Sequence, residues 1–254
     1  YDLYEYTRDH LVANWKRPLF VMWAKFNKYL NQTYVGHVDT VVCNGRNTQK
    51  RIQRYLHKRA TIVNPPIETA SFRFGKQGGY WLSVNRLIGH KRIDLQLKAF
   101  RNLSDERLVV VGSYEKSDHF LKYARKVRSM KPDNVSIKSW VSKDDLVGLY
   151  SGCKGFITTA KDEDFGMAPV EAMASGKPVI ASNEGGHKET VVHNETGVLI
   201  DDIDEEKLMK SISFVSNILE SNPNAFKKRC MARARKFDTK IFIQKIKEHI
   251  KNAT

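Results

Sequence analysis

GFITTAKDEDFGMAPVEAMASGKPVIASNEGGHKETV, residues 155–191, reads as strand, loop, helix, strand, loop, helix. The apolar run from Gly155 to Thr159 stops at a polar loop. Pro169 suits the first turn of a helix, where its missing N–H costs nothing. A run of small residues follows, then the apolar stretch KPVIAS at 177–182 and a second turn at Gly185 and Gly186. Strands alternating with helices at this spacing indicate βαβ units and a parallel sheet.

The same alternation extends in both directions. YWLSV at 80–84, RLVVVG at 107–112, VSIKSW at 135–140 and TGVLI at 196–200 are further strand candidates. Most are followed by a helical stretch, among them RIDLQLKAF, DHFLKYARKVRSM and KDDLVGLYS. Six strands complete a Rossmann-like α/β lobe. Residues 204–251 hold no strand pattern and read as two or three closing helices.

Upstream, Val38 to Cys43 reads as a short β-branched strand and Arg46 to Leu56 as a helix. Pro65 and Pro66 forbid helix and make a stiff connector. Residues 2–34 carry Trp15, Leu19, Phe20, Met22, Trp23, Phe26 and Leu30 largely on one helical face, beside Lys16, Arg17, Lys25 and Lys28. This amphipathic basic helix either packs on the body of the protein or docks on an anionic membrane surface. The expected division is 1–70 (a first-lobe remnant and connector), 71–236 (the Rossmann-like domain) and 237–254 (a terminal crossover helix).

With 254 residues and 41% hydrophobic content the chain can bury a real core. Its 43 Lys and Arg against 28 Asp and Glu give a formal charge of +15, which predicts attraction to phosphates. No zinc knuckle, RNA-recognition signature or recognition-helix pattern accompanies the charge, so nucleic acid is not an expected partner. Cys43, Cys153 and Cys230 fit neither a disulfide framework nor a zinc site, and a reducing cytoplasm is expected. No apolar run approaches the ~18 residues of a membrane span.

In open parallel sheets ligands bind at the carboxyl ends of the strands, where helix N-termini present free N–H groups. Three loops there hold candidate groups. Glu163 lies on the loop after GFITT, and Glu171 follows eight residues later, expected in the first turn of the next helix. Two carboxylates, acceptors when ionised, would thus flank one helix mouth and match a hydroxyl-rich partner such as a sugar. By spacing alone the plainer reading stands ahead: Glu171 stabilises a helix N-terminus and Glu163 is solvated. Arg86 and Lys91, after YWLSV, are two cations beside a helix start and suit a diphosphate. Gly185 and Gly186 offer either an anion-facing loop of bare N–H groups or a plain tight turn.

Taken together, these three loops resemble glycosyltransferases of family 4, which have the two-lobed GT-B fold. DEDFGMAPVEAMASGKPVIASNEGGHKETV is similar to that family's signature, SVNRLIGHKRIDLQLKAF to its diphosphate clamp, and NPPIETASF to its interlobe connector. Roughly residues 35–250 are covered, and the wording is closest to mannosyltransferases of bacterial O-antigen and archaeal surface-glycan assembly.

The resemblance implies a retaining transfer of a sugar, mannose from GDP-mannose, to a glycan or lipid-linked acceptor, with no metal or other cofactor required. Arg86 and Lys91 would grip the diphosphate and Glu163 the donor sugar, in an orienting role, with backbone of Phe165, Gly166 and Met167 lining it. Glu171 would bind the ribose, and Trp140 and Val141 would lie near the base. The family's FSW at the crossover appears here as FDT, Phe237 to Thr239. The chain opens at YDLYEYTRDHL, resembling a segment within the acceptor lobe, and neither His10 nor His37 matches the histidine motif of that lobe. A chain beginning there is expected to bind donor and turn over poorly. The alternative is a non-catalytic nucleotide-sugar-binding lobe or split-enzyme subunit. The implied location is the cytoplasm, with peripheral association at the membrane face.

Overall fold

The structure, a computed structural model, describes residues 4–112 and 118–253. In chain order its elements are α1 (Tyr4–Tyr6), α2 (Arg17–Gly36), β1 (Val42–Cys43), α3 (Arg46–Leu56), β2 (Thr61–Ile62), β3 (Trp81–Val84), α4 (Ile93–Arg101), β4 (Leu108–Val111), α5 (Asp118–Ser129) and β5 (Val135–Lys138). Then come α6 (Lys143–Gly152), β6 (Gly155–Thr158), α7 (Met167–Ala174), β7 (Val179–Ser182), α8 (His187–Thr190), β8 (Gly197–Ile200), α9 (Glu205–Ser221), α10 (Lys227–Arg235) and α11 (Thr239–Ala253).

All six strands read from the sequence are present, and they form one parallel sheet in the order β5-β4-β3-β6-β7-β8. Helices cover both faces, so the central strands are apolar throughout: Trp81, Leu82, Phe156, Ile157, Val179 and Ile180 are fully buried, each large side chain contributing about 1.5–3 kcal/mol. Two close approaches set the register. Gly155 faces the Trp81 indole, and a Cβ there would lie 2.5 Å from it. A Cβ on Gly197 would lie 1.8 Å from the Val179 carbonyl oxygen. At the amino ends of the strands, Glu106 accepts from Trp81 Nε1 (3.0 Å) and pairs with Lys154 (2.9 Å), satisfying the charges in a part-buried setting.

The order reverses between β3 and β6. That is the topological switch point, where the loops after two neighbouring strands part and leave a crevice. The loops after β3 and β6 carry the Arg86–Lys91 and Glu163 segments, so the sheet order alone brings them together.

Before β3, β1 and β2 form a separate two-stranded parallel sheet, with Val42 opposite Thr61. The strand expected over Val38 to Cys43 is therefore only its last two residues. α3 has the bounds expected for it. The long helix expected over residues 2–34 is corrected: it starts at Arg17, with Pro18 in its first turn, and Tyr4 to Lys16 form α1 and two short irregular turns. No residue of α2 is fully buried, and Leu19, Met22, Trp23 and Phe26 are 58–64% exposed. Packing of that apolar face on the body of the protein is not what is seen.

The chain crosses back at residues 237–239. Ile67 N–H donates to the Phe237 carbonyl (3.0 Å), Thr239 N–H donates to the Ile67 carbonyl (3.1 Å) and the Thr69 hydroxyl bonds Asp238. FDT therefore ties the connector to the start of α11 despite its departure from the family wording.

Candidate active site

Along the carboxyl ends of the strands runs an open cleft in two adjoining parts that share Val84, Asn85 and Arg86. One part is lined by these and by Lys91, Thr158, Glu163, Gly166, Met167, Ala168, Pro169 and His187. The other continues past Val111 to Ser139, Trp140, Val141 and Leu146. Arg86, Lys91, Glu163, Gly166, Met167, Trp140 and Val141 thus share one cleft. Trp140 is 80% exposed and offers a broad apolar surface at its far end.

Lys91 and Glu163 form an ion pair whose side chains are only 12% and 22% exposed. Burial pushes the Glu163 carboxyl up; the Lys91 ammonium, by charge and by hydrogen bond, outweighs this with help from His187 and His90, leaving Glu163 below the usual carboxylate range. The cation and the acid assigned to opposite ends of a donor are therefore neighbours, and Glu163 stays ionised at neutral pH. Arg92, in a left-handed turn (φ 49°), points elsewhere: it donates to the Thr159 and Ala160 carbonyls and pairs with Glu184 at 2.8 Å.

Glu171 corrects an expectation. Gly166, at φ 89°, lets the chain turn abruptly into α7 at Met167, which places Glu171 in the second helical turn and leaves the first turn without an acidic residue. Stabilising the N-terminus through the dipole, which falls off within the first turn, is not its role. Glu171 is on the wall of neither part of the cleft. Its Oε2 accepts from the hydroxyl of fully buried Tyr150 at 2.7 Å. Burial raises the Glu171 carboxyl and the Tyr150 bond only partly restores it.

Phe165 turns its ring inward, edge-on to Phe237 at 5.3 Å between centroids, so only backbone there could face a ligand. Gly185 and Gly186 also need correcting as an anion-facing loop. The Gly186 N–H is given to the Glu163 carbonyl at 2.6 Å. A Cβ on Gly185 would lie 2.4 Å from that carbonyl oxygen, and one on Gly186 would lie 2.4 Å from Phe165 Cα. These glycines let two loops touch backbone to backbone.

Sequence reasoning passed over several groups. Asn85 and Thr158 are strand-end residues on the cleft wall, and His187 follows the glycine pair. His187 is fully buried, with Nδ1 3.2 Å from Ser182 Oγ and Nε2 without a partner. Burial pushes it down to about 4, so it is neutral at physiological pH. The metal-free reading also rested on the absence of any Asp-x-Asp, which is wrong, because Asp162-Glu163-Asp164 has that spacing. Both aspartates are engaged by Arg51, and Asp162 also by Asn47 at 3.1 Å. Among the described residues no group of three or more His, Cys, Asp or Glu is placed to hold a metal ion.

The strand order, with cations and a carboxylate at the switch point, defines a Rossmann-like ligand-binding lobe of the kind that takes nucleotides. A family model described as "Glycosyl transferases group 1" matches residues 67–237, and the chain belongs to that family. Among curated relatives it is 26% identical to the alpha-1,3/1,6-mannosyltransferase ALG2 of Candida glabrata, over 96% of this chain and 66% of that protein. It is 32% identical to the corresponding Neurospora crassa protein, over 55% of this chain and 36% of that one. The chain thus spans between about a third and two thirds of the length of these relatives. Sucrose-phosphate synthase from Thermosynechococcus elongatus superposes with a TM-score of 0.76 at 20% identity, covering 91% of this chain and 63% of that one. The fold is therefore the Rossmann-like lobe of a GT-B glycosyltransferase.

Proposed function

We propose that the chain provides the donor-binding part of a retaining mannosyltransferase that moves mannose from GDP-mannose to a hydroxyl of a glycan or lipid-linked acceptor. The observation that carries this reading is the convergence of Arg86, Lys91 and Glu163 at the switch point, in a cleft continuous with Trp140 and Val141. The mannosyl specificity rests on likeness to the ALG2 proteins.

In this reading Arg86 and Lys91 bind the diphosphate and stabilise the negative charge that grows as the glycosidic bond breaks, together with the N–H groups at the start of α7. Positive charge for the leaving group comes from the protein, and no metal or cofactor is given a role. Glu163 accepts hydroxyls of the sugar, backbone at Gly166 and Met167 lines it, and Trp140 and Val141 flank the base. Glu171, set back from the cleft wall, is assigned to the ribose on the family resemblance alone, with the acceptor capacity that Tyr150 does not use.

Residues 1–70 are assigned to the first lobe and connector, 71–236 to the donor domain and 237–254 to the crossover helix. No helix among the described residues is long and apolar enough to cross a membrane. Three buried free cysteines support a cytoplasmic setting. The exposed apolar face of α2, beside Lys16, Arg17, Lys25 and Lys28, suits peripheral contact with an anionic membrane surface.

A thermal-shift panel of GDP-mannose, UDP-glucose, UDP-N-acetylglucosamine and dTDP-sugars tests the donor, because a ligand that binds only the folded state raises its melting temperature. GDP-mannose is expected to give the largest shift. A larger shift with another donor would reassign it, and no shift with any would remove the reading.

A further inference from the structure

Glu163 is held from behind by a helix of the first lobe. The loop bearing it is flanked by Asp162 and Asp164, and the Arg51 guanidinium on α3 bonds both: Nη2 reaches Asp162 Oδ2 at 2.7 Å and Nη1 pairs with Asp164. Nη2 also approaches the Asp162 carbonyl at 3.3 Å. One turn earlier on the same helix, Asn47 Nδ2 donates to Asp162 Oδ1 (3.1 Å) and to the Glu163 carbonyl itself (3.0 Å). That carbonyl is the one that receives the Gly186 N–H. The start of α3 is tied down in turn, because the Glu189 carboxylate accepts from the N–H groups of Arg46 (2.8 Å) and Asn47 (3.0 Å).

The loop needs such support. Asp162 sits at φ 52° and Gly166 at φ 89°, so Glu163 lies between two left-handed residues, one of which is not glycine. A non-glycine residue persists there only when its surroundings over-determine it, and such strain gathers at sites where geometry matters. Arg51 spans the two aspartates either side of Glu163 with a planar fork that a lysine cannot reproduce. Its contacts hold the backbone of the acid, while Lys91 holds the carboxylate.

We propose that Arg51 and Asn47 are positioning residues for Glu163, through which the first lobe sets the geometry of the sugar-binding acid in the second. This deepens the function proposed above and rests on it for the ligand measurement only. Under it, α3 is part of the donor site without touching the donor, and a displacement of the first lobe is felt at the sugar end of the cleft before the diphosphate end.

The test uses Arg51→Met and Asn47→Ala in the 254-residue chain, with Arg51→Lys for comparison. Without ligand, hydrogen exchange at the Gly186 amide reports whether the Glu163 loop is held. Both variants are expected to speed it ~10-fold relative to amides of β6 and β7, with Arg51→Lys restoring little. With ligand, the ratio of GDP-mannose to GDP affinity is expected to fall by about 2- to 100-fold in Arg51→Met while GDP affinity itself is kept. In a Glu163→Gln background Arg51→Met should then have no further effect on that ratio. A merely structural role would lower both affinities equally in either background. Unchanged Gly186 exchange in both variants, or an equal loss of GDP and GDP-mannose binding, overturns the proposal. A wild-type chain that fails to distinguish GDP-mannose from GDP sinks the donor assignment instead, and the exchange result still decides the clamp.

Discussion

Lys91→Met removes the cation beside Glu163, and its cost can be worked out without any ligand. The pair is 12% and 22% exposed, between the regime of a fully buried ion pair, which costs about 3–5 kcal/mol to break, and that of a surface pair worth about 0–1 kcal/mol. Residual exposure softens the loss, so about 2 kcal/mol at neutral pH is expected. For a chain of this length that is a fall of about 4–8 °C in Tm. The pH dependence follows from the direction of the shift. Glu163 is depressed in the folded state, so its contribution is fully present above the unfolded value near pH 4 and is lost as pH falls through the folded value. In Lys91→Met burial is unopposed, the carboxyl rises, and protonation relieves the penalty as the solution is acidified. Urea unfolding of the wild type, Lys91→Met, Glu163→Gln and the double variant, at about pH 7 and about pH 4, measures this. The double variant should recover about 1–2 kcal/mol relative to the sum of the singles. Single effects that add to within ~0.5 kcal/mol, or an equal Lys91→Met deficit at both pH values, would refute the reasoning.

Arg86 is shared by both parts of the cleft, so Arg86→Ala should weaken GDP by ~1.5–3 kcal/mol, about 10- to 150-fold; unchanged affinity by calorimetry would remove the phosphate clamp. Gly186→Ala would bring a Cβ to 2.4 Å from Phe165 Cα and is expected to cost about 1–3 kcal/mol or more in urea unfolding, whereas Gly148→Ala, with open space around it, should be neutral or slightly stabilising. Tyr150→Phe removes the bond that partly offsets the burial of Glu171. Because a raised carboxyl penalises the folded state above its folded value, this variant should lose about 1–3 kcal/mol at neutral pH and recover it on acidification. A loss independent of pH would point to packing instead.

The central strands of the sheet could be read because they are buried on both faces, so that Trp81–Val84 or Val179–Ser182 is apolar or small almost without interruption. α3 could be read because Gly45 and His57, the latter at φ 54°, bound a helical pattern cleanly. The start of α2 was misplaced because apolar periodicity runs on through Trp15, and only Pro18 marks where the helix can begin. At the site, Arg86, Lys91 and Glu163 stand on strand-end loops, which periodicity locates. Lys91–Glu163 pairing joins residues 72 apart and Arg51–Asp162 joins residues 111 apart. Neither has any local signature: a helix as polar as α3 reads as a solvated one, and the carboxylates of an Asp-x-Asp carry no sign of which cation faces them. The glycine pair was legible as a turn. Its partner, the Glu163 loop, was not, since close backbone contact leaves no mark on the second chain segment.

The two acids eight residues apart are pushed in opposite directions, yet both serve as acceptors under the proposed reaction. Glu163, held low by a bonded ammonium, is ionised and turned toward a cation; it is a poor proton donor, and its charge is already shared with Lys91, which weakens it as a nucleophile. Glu171, raised by burial, is committed on one oxygen to a phenol that donates to it, so it too serves as an acceptor. The one buried imidazole on the wall, His187, has its basicity pushed down to about 4 and would hold a proton only weakly near neutral pH. None of these cleft groups is a strong base, and under the proposed reaction that task falls to the departing diphosphate, held by Arg86 and Lys91. Under the proposed retaining reaction this suits a same-face exchange, in which the oxygen that leaves takes the proton of the hydroxyl that arrives.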